Sequence, residues 1–142
     1  MLNSSIKTGS WADLGEYCKS IRLPVFVEEQ GVPQHLELDP QDETFLHVVI
    51  FNEDSIAIAT ARLAPNGKFG RMAVLKKYRL QGLGAVLLKQ ITKLADSLGI
   101  EQLICHAQQS AVEFYKKNGF QIIGKPFQEA GITHTKMQKN LT

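Results

Sequence analysis

Arg79-Leu-Gln-Gly-Leu-Gly84 is the stretch of sequence that decides the fold of this chain. It follows the apolar run at residues 72–75 and opens an amphipathic helix. Its two glycines let the backbone come close to a bound group, because neither has a Cβ atom. The first turn of a helix leaves backbone N–H groups without partners, and the helix dipole adds partial positive charge there. The stretch therefore predicts a site for an anion such as a phosphate or pyrophosphate.

Length and composition are those of an ordinary globular protein. The chain has 142 residues, of which 44% are hydrophobic and 21% are charged. This size predicts one domain over residues 1–142. No apolar run is long enough for a membrane span, and the N-terminus lacks the basic and apolar regions of a signal peptide. Cys18 and Cys105 lie far apart, which predicts buried free thiols in a reducing cytoplasm.

Charge is unevenly distributed along the chain. Between Arg22 and Arg62 there are eight acids and no Lys or Arg, whereas from Arg62 to the end 13 Lys and Arg accompany four acids. Two interpretations remain open. The chain has two solvated faces, or it has a basic half for an anionic cofactor and an acidic half for a cationic substrate. The net charge of +2 and the lack of interleaved aromatic and basic residues argue against nucleic acid as a partner.

Hydrophobic periodicity predicts the elements of the first half. Ser10 starts a helix whose apolar face holds Leu14, Tyr17, Cys18 and Ile21. Pro24 bends or ends this helix, and residues 31–43 form a loop. Neighbouring strands at residues 45–51, 56–62 and 68–75 then predict an antiparallel meander, with a hairpin turn at Asn66-Gly67.

The second half alternates helices and strands. A long helix carries apolar residues at helical spacing, and Gly99 ends it: Leu83, Leu87, Ile91, Leu94 and Leu98. The strand at residues 102–105 then implies a parallel crossover. Ser110-Ala-Val-Glu113 predicts a capping box for a short helix, and strands at 120–123 and 133–138 follow. These elements predict an α/β (α+β) fold, with a single mixed, mostly antiparallel sheet of about six to seven strands flanked by about four helices.

Two familiar phosphate loops fit the glycine stretch poorly. A dinucleotide-binding fold needs a third glycine where this chain has Leu87, and its first glycine directly follows a strand. Here residues 76–81 intervene, although Glu101 stands at the distance expected for a ribose-binding acid. The Walker loop is excluded because no Gly-Lys-Ser/Thr is present.

A third family fits the glycine stretch better. Arg-x-x-Gly-x-Gly after a strand and before a long helix resembles the acetyl-CoA motif of the GNAT superfamily of N-acetyltransferases. The segment Gln108-x-x-Ala111-x-x-Phe114-Tyr115-x-x-x-Gly119-Phe120 resembles the second hallmark of that superfamily, with Gln108 where Asn is usual. Val25-Phe-Val-Glu-Glu-Gln-Gly-Val-Pro33, with Leu36-Glu-Leu-Asp39 and Asp42…His47, is similar to the bacterial ElaA-like branch.

The resemblance implies the acyl-CoA N-acyltransferase (GNAT) fold, with acetyl-CoA as cosubstrate and no metal. In this fold the fourth strand diverges from the fifth, and the pantetheine arm fills the gap. The implied pyrophosphate site consists of main-chain N–H groups, helped by the charge of Arg79: those of Gln81, Gly82, Leu83, Gly84 and Ala85. The implied pantetheine site consists of Met72, Ala73 and Val74, and Gln108 and Phe114 are further implied cofactor-binding residues.

The resemblance also implies roles for catalytic residues. Tyr115 gives a proton to the departing CoA thiolate. The base stays open: no acid or histidine lies in residues 55–95, so the candidates are an ordered water or one of Glu28, Glu29, His47, His106 and His134. Of these, His106, His134 and Glu29 join Tyr115 as the predicted catalytic set. His106 and Gln108 alternate onto one side of an extended segment, although a single histidine is more often structural.

The predicted function is acetyl-CoA-dependent transfer of an acetyl group to a primary amine, by direct attack within a ternary complex. The expected acceptor is a small-molecule amine or a lysine-like group, with no nucleic acid and no membrane as a partner. The superfamily also allows a homodimer. The alternatives are transfer of another acyl group from CoA, a non-catalytic CoA-binding or regulatory module, and a NAD-binding protein.

Overall fold

The computed structural model describes residues 4–141. Within this range the chain forms eight strands: β1 (Ser5–Gly9), β2 (Leu46–Phe51), β3 (Ala57–Leu63), β4 (Phe69–Val74), β5 (Gln102–Gln108), β6 (Gln121–Ile122), β7 (Phe127–Glu129) and β8 (Ile132–Asn140). The same range holds four α-helices: α1 (Trp11–Arg22), α2 (Gln34–Glu37), α3 (Leu83–Ser97) and α4 (Val112–Lys117). A π-helical segment, Leu23–Glu29, continues α1, and short 3₁₀ turns cover Pro40–Thr44, Lys76–Tyr78 and Gln109–Ala111.

The strands form two antiparallel groups that meet at one point. The first has the order β1-β2-β3-β4, and in the second β8 pairs with β5, β6 and β7. The groups are joined by a parallel bridge between Lys68 and Ile104, where Ile104 N–H donates to the carbonyl of Gly67 at 3.0 Å. Gly67 is needed there, because its φ is +93° and a Cβ atom would lie 2.1 Å from the carbonyl oxygen of Gln102. The α/β fold class is confirmed. The predicted single sheet is divided between β4 and β5 into two groups of strands.

Helices cover both faces of the strands. On one face, α3 buries Leu87 and Ile91 in a core that includes Ile58 and Leu103. On the other face, α1 buries Leu14, Cys18 and Ile21 against Val49 and Ala73. Ser10 caps α1 as predicted, since its hydroxyl accepts from the N–H of Asp13. Tyr17 differs from the prediction, since it is largely exposed and touches only the edge of the Phe51 ring.

The sequence-based prediction differs from the structure at four local features, one of which is strand β7, absent from the prediction. It omits β1, an edge strand whose exposed side chains show no alternation of apolar and polar residues. It assigns residues 31–43 to a loop, whereas α2 and a 3₁₀ turn lie there. The capping box at Ser110 is wrong: a 3₁₀ turn leads directly into α4, so Ala111 stands at the N-cap in helical conformation and no side chain of residues 4–141 caps the helix.

Candidate active site

A β-bulge lies where β4 separates from β5. Thr60 pairs with Ala73 and Arg62 pairs with Gly70, so Arg71 and Met72 together face the single residue Ala61. Arg71 has a φ of +46°, the left-handed backbone region that side chains other than glycine seldom adopt. A bulge bends its strand and increases the local twist, which turns β4 away from its neighbour. Beyond the Lys68–Ile104 bridge, β4 and β5 have no further pairing within residues 4–141.

The separated strands enclose a cleft of about 620 Å³. Its walls include six of the residues that the sequence assigns to the cofactor: Met72, Ala73, Val74, Gly84, Gln108 and Phe114. The carbonyl of Val74 points to the open side of β4, where it accepts a hydrogen bond from Nε of Arg79 at 2.9 Å. The cleft therefore presents main-chain polar groups along one wall, with apolar side chains beside them.

The N-terminus of α3 adjoins this cleft. Gly82 is the N-cap residue with a φ of +80°, and the first intrahelical bond runs from the N–H of Val86 to its carbonyl at 3.2 Å. No side chain in the described part of the chain caps this end. Gln81, Gly82 and Ala85 are exposed, so the amides of the first turn are open to an anion rather than covered by packing.

Gly84 lies at the junction of α3 and the cleft. A Cβ atom built on it would lie 3.6 Å from the Phe114 ring, an ordinary contact distance. Packing within the protein therefore does not require glycine at this position. A ligand that passes close to the backbone would require it, since the missing side chain leaves room there.

Tyr115 lies in the inner wall of the cleft. Only 7% of the residue is exposed, and its hydroxyl donates to the sulfur of Met72 at 3.8 Å. Burial raises the pKa of the Tyr115 phenol above its usual range, so the phenol keeps its proton at neutral pH. Cys105 also lines the cleft, but burial raises the pKa of its thiol to about 12, which leaves it a poor nucleophile.

Two histidines and a carboxylate meet on the β5 side of the cleft. His106 and Gln108 both line it, as their alternation along the chain predicts. Nδ1 of His106 lies 3.1 Å from one carboxylate oxygen of Glu129, and Nε2 of His134 lies 4.0 Å from the other. Nδ1 of His134 contacts the carbonyl of Ile132 at 2.7 Å. If Nδ1 of His106 carries the proton and donates to Glu129, Nε2 is left as a free acceptor.

Glu129 is a cleft residue that the sequence does not indicate. It ends β7, which pairs with β8, and β8 in turn pairs with β5. The hairpin turn that follows has positive φ at Ala130 and Gly131, so a turn there could have been recognised in Ala-Gly. The approach of this carboxylate to His106 depends on pairing across three strands, which no local pattern indicates.

The other base candidates lie outside the cleft. Glu29 forms a two-pronged ion pair with Arg79, with N–O distances of 2.9 and 2.8 Å, so two predicted site residues bind each other. Glu28 is exposed and does not line the cleft. His47 is buried with Nε2 at 2.9 Å from the carbonyl of Asp42, and burial lowers its pKa. Gln30, next to Glu29, pairs its amide with that of Gln108 at 2.9 Å across the cleft.

Three acids of the acidic stretch, Glu37, Asp39 and Asp42, are paired with arginines from outside it. Arg22 is buried and contacts the carboxylates of both Glu37 and Asp42. Arg62 binds Asp42 at 2.7 Å and Asp39 at 2.9 Å. These acids therefore do not supply the free negative charge on which the expectation of a cationic substrate depends.

The described residues hold neither a metal-binding cluster nor a membrane-spanning helix. Among residues 4–141, no group of three or more His, Cys, Asp and Glu side chains is arranged to hold a metal ion. No helix in that range is both long enough and apolar enough to span a membrane.

The fold agrees with the comparisons to known proteins. The model of the acetyltransferase (GNAT) domain family matches residues 18–141, so the chain belongs to the GNAT family of acetyltransferases. The Bacillus subtilis protein YjcF, described as an uncharacterized N-acetyltransferase, is 37% identical over 123 residues, which cover 84% of this chain and 88% of YjcF.

Solved structures show the same fold. An acyl-CoA N-acyltransferase from Pseudomonas aeruginosa matches with a TM-score of 0.85 at 26% identity, over 98% of this chain and 99% of that one. Escherichia coli ElaA matches with a TM-score of 0.83 at 21% identity, over 96% and 99% of the two chains. At that identity, the likeness to ElaA shows the fold alone.

Proposed function

We propose that this protein is an acetyl-CoA-dependent N-acetyltransferase that moves the acetyl group directly to a primary amine within a ternary complex. The observation that carries this proposal is the cleft between β4 and β5. It connects the uncapped N-terminus of α3 with the buried phenol of Tyr115 and the histidine–carboxylate pair of His106 and Glu129.

The residues present fit coenzyme A along the whole cleft. The amides of residues 81–85 would hold the diphosphate, with Gly82 and Gly84 allowing close approach. The open edge of β4 at Met72 and Val74 would bond the amides of the pantetheine arm and polarise the thioester carbonyl. The guanidinium of Arg79 is paired with Glu29, so its attraction for the diphosphate at longer range is reduced and the main-chain amides carry the binding. When bound, acetyl-CoA supplies the acetyl group and leaves as a thiol.

We assign two proton movements to these side chains. Nε2 of His106, with Glu129 holding the other ring nitrogen, takes the proton that the ammonium group of the acceptor must lose before its nitrogen attacks the carbonyl carbon. As the C–S bond breaks, the hydroxyl of Tyr115 gives its proton to the sulfur. The same burial that raises the pKa of Tyr115 would raise the pKa of a thiol beside it. The pKa values of the proton donor and of the proton acceptor therefore rise together.

Replacing Tyr115 by Phe tests catalysis apart from binding. We expect Tyr115→Phe to bind acetyl-CoA within about twofold of wild type while kcat falls about 10²-fold or more, since a positioned acid contributes on that order. Calorimetry measures the binding, and release of free thiol across a panel of amines measures the turnover. Tyr17→Phe is the matched control, because Tyr17 is an exposed tyrosine outside the cleft.

The same assay separates the alternatives. Binding of acetyl-CoA without turnover of any amine would favour a CoA-binding module, and faster turnover with succinyl-CoA would favour another acyl group. Binding of NAD in place of acetyl-CoA would contradict the proposal. The cytoplasmic location and the homodimer stay predictions.

A further inference from the structure

The β4 bulge directs an arginine into the cleft. Arg71 lines the cleft, and 29% of its side chain is exposed. Its φ of +46° is unfavourable for an L-residue with a side chain. Strained backbone of this kind is concentrated at ligand-binding and catalytic sites, where the surrounding structure maintains it. The bulge thus presents a guanidinium to the space beside the predicted thioester position at Met72 and Val74.

The hydrogen-bonding capacity of Arg71 is only partly used. Nη2 donates to the carbonyls of Leu36 and Glu37 at 3.2 and 3.4 Å. Nε is buried 3.6 Å from Oε1 of Glu37 and has no hydrogen-bond partner within residues 4–141. Among the same residues, Nη1 has no hydrogen-bond partner either. Nε therefore faces Glu37, and Nη1 is the donor group of Arg71 that is left for a ligand bearing acceptors.

Arg22 and Arg62, the neighbouring arginines, are paired more closely with carboxylates than Arg71 is. Arg22 and Arg62 are paired with carboxylates through short contacts and are far less exposed. Burial is the main cause of the lowered pKa of Arg71, and the positive charges of Arg62 and Arg22 are the next causes. The negative charges of Glu37 and Asp39 oppose this lowering of the pKa, and the contact of Arg71 with Glu37, at 3.6 Å, is longer than the carboxylate contacts of Arg22 and Arg62.

Glu37, the acid beside Arg71, is less accessible than Arg71 itself. Glu37 is only 2% exposed, and its Oε2 is buried without a hydrogen-bond partner in the described residues. Lys68 also lines the cleft, is exposed, and has no carboxylate of residues 4–141 within 4.0 Å. The β4 wall therefore offers cations to a ligand, whereas the β5 wall offers His106 and Glu129.

We infer that the acceptor is an amine that also carries a carboxylate, and that Arg71 binds this carboxylate. This inference rests on the proposed function, because it concerns the second substrate of the same cleft. The guanidinium keeps its positive charge, and the N–H groups of Nη1 can donate to a carboxylate oxygen while Nη2 and Nε hold the side chain in place. With the carboxylate on the β4 wall, the amine is directed toward His106 on the opposite wall. The substrate class is that of amino acids and related amino carboxylates.

Matched amines test the inference on the wild-type protein. The panel pairs glycine with glycinamide, β-alanine with β-alaninamide and γ-aminobutyrate with its amide. Each amide keeps the amine and the shape and loses the charge. We expect kcat/KM to be at least about tenfold higher for an acid than for its amide, since charge-assisted hydrogen bonds in a desolvated site have that effect. The amine of each amide is less basic than that of the matching acid, so more of it is unprotonated at a given pH. Intrinsic reactivity therefore favours the amides, which is the opposite of the expected result.

Arg71→Gln should remove the preference. We expect kcat/KM for the acids to fall about tenfold or more, mainly through KM, and that for the amides to change less than about twofold. Arg71→Lys should restore part of the preference, because it keeps the charge and loses the fork. Lys93→Gln is the control, since Lys93 is an exposed cation on α3 outside the cleft. Thermal unfolding of each variant shows whether it is folded.

Calorimetry provides a readout that needs no turnover. Glutarate should bind the wild-type complex with CoA and bind Arg71→Gln about tenfold more weakly, whereas glutaramide should not bind. Equal use of acids and amides, or equal binding of glutarate and glutaramide, would overturn the inference while acetyl-CoA binding and amine turnover still supported the proposed function. Failure of acetyl-CoA to bind or be consumed would instead count against the proposed function itself.

Discussion

Glu129 fixes the ring orientation of His106, and a residue with that role leaves a kinetic signature. We expect His106→Gln to lower kcat by about 10²-fold or more, and Glu129→Gln by a smaller factor of about tenfold. The double variant should be no slower than His106→Gln alone, because an orienting carboxylate contributes nothing once the imidazole is gone. Steady-state kinetics at saturating acetyl-CoA measures all three.

Controls for this pair come from the same region. Glu113→Gln removes an exposed acid of α4 and should leave kcat unchanged. His134→Gln removes the second histidine, which is buried and bonded to a main-chain carbonyl, and should affect kcat less than His106→Gln does. If His134→Gln proved the slower of the two, or if Glu129→Gln matched wild type, His106 would not be the base.

Residues in local motifs could be predicted from the sequence, and residues placed by distant pairing could not. Tyr115, Phe114 and Gln108 stand in one short segment, and all three line the cleft. Glu129 and Arg71 were missed. The carboxylate of Glu129 reaches His106 only through pairing among β5, β7 and β8, and Arg71 faces the cleft only because an extra residue in β4 shifts the register.

At the scale of elements, the start of α3 belongs to the fold and to the proposed ligand site. Gly84→Ala separates these two roles. Alanine favours a helix over glycine by about 1 kcal/mol, and its Cβ atom would contact the Phe114 ring at an ordinary 3.6 Å. We therefore expect unchanged or higher thermal stability together with acetyl-CoA binding weakened about tenfold, because the methyl group occupies the ligand's space. Differential scanning fluorimetry and calorimetry measure these two quantities.

The control for Gly84→Ala is Lys89→Ala, an exposed position on the same helix. It should leave acetyl-CoA binding unchanged. Gly82→Ala is no substitute, because a φ of +80° makes any side chain there unfavourable whatever the ligand. Normal acetyl-CoA affinity in a folded Gly84→Ala variant would show that no ligand passes over this turn.

Elements with a buried face were predicted well, and exposed elements were not. Leu83, Leu87 and Ile91 recur at helical spacing because α3 buries one side against the strands, so the sequence records that contact. Strand β1 buries almost nothing and is held by main-chain pairing with β2, which leaves no pattern in its side chains. The opening between β4 and β5 likewise has no apolar signature, since it results from a bulge.

At the scale of the whole molecule, folding rearranges the charges that the sequence separates. Three acids of the first half, Glu37, Asp39 and Asp42, are paired with Arg22, which precedes them, or with Arg62, which follows them. Charge asymmetry along a chain therefore does not show which face of the folded protein is acidic. Burying such pairs costs desolvation energy, and removing one partner is more destabilising than the pair is stabilising. The network fixes the loop before β2 against α1, next to the cleft wall that carries Arg71.

His47 lies beneath this network and couples stability to pH. It is 1% exposed and contacts the carbonyl of Asp42, and burial lowers its pKa in the folded state. The unfolded chain then binds the proton more readily, so this contribution to stability is complete above the unfolded pKa of about 6.5 and is lost as pH falls below it. The slope can approach about 1.4 kcal/mol per pH unit for one proton.

Urea unfolding between pH 7.5 and 5 should therefore show a shallower decline in the free energy of unfolding in His47→Gln than in wild type. His35→Gln, at an exposed histidine of α2, should keep the wild-type slope. Identical slopes in all three proteins would mean that His47 becomes protonated without penalty in the fold.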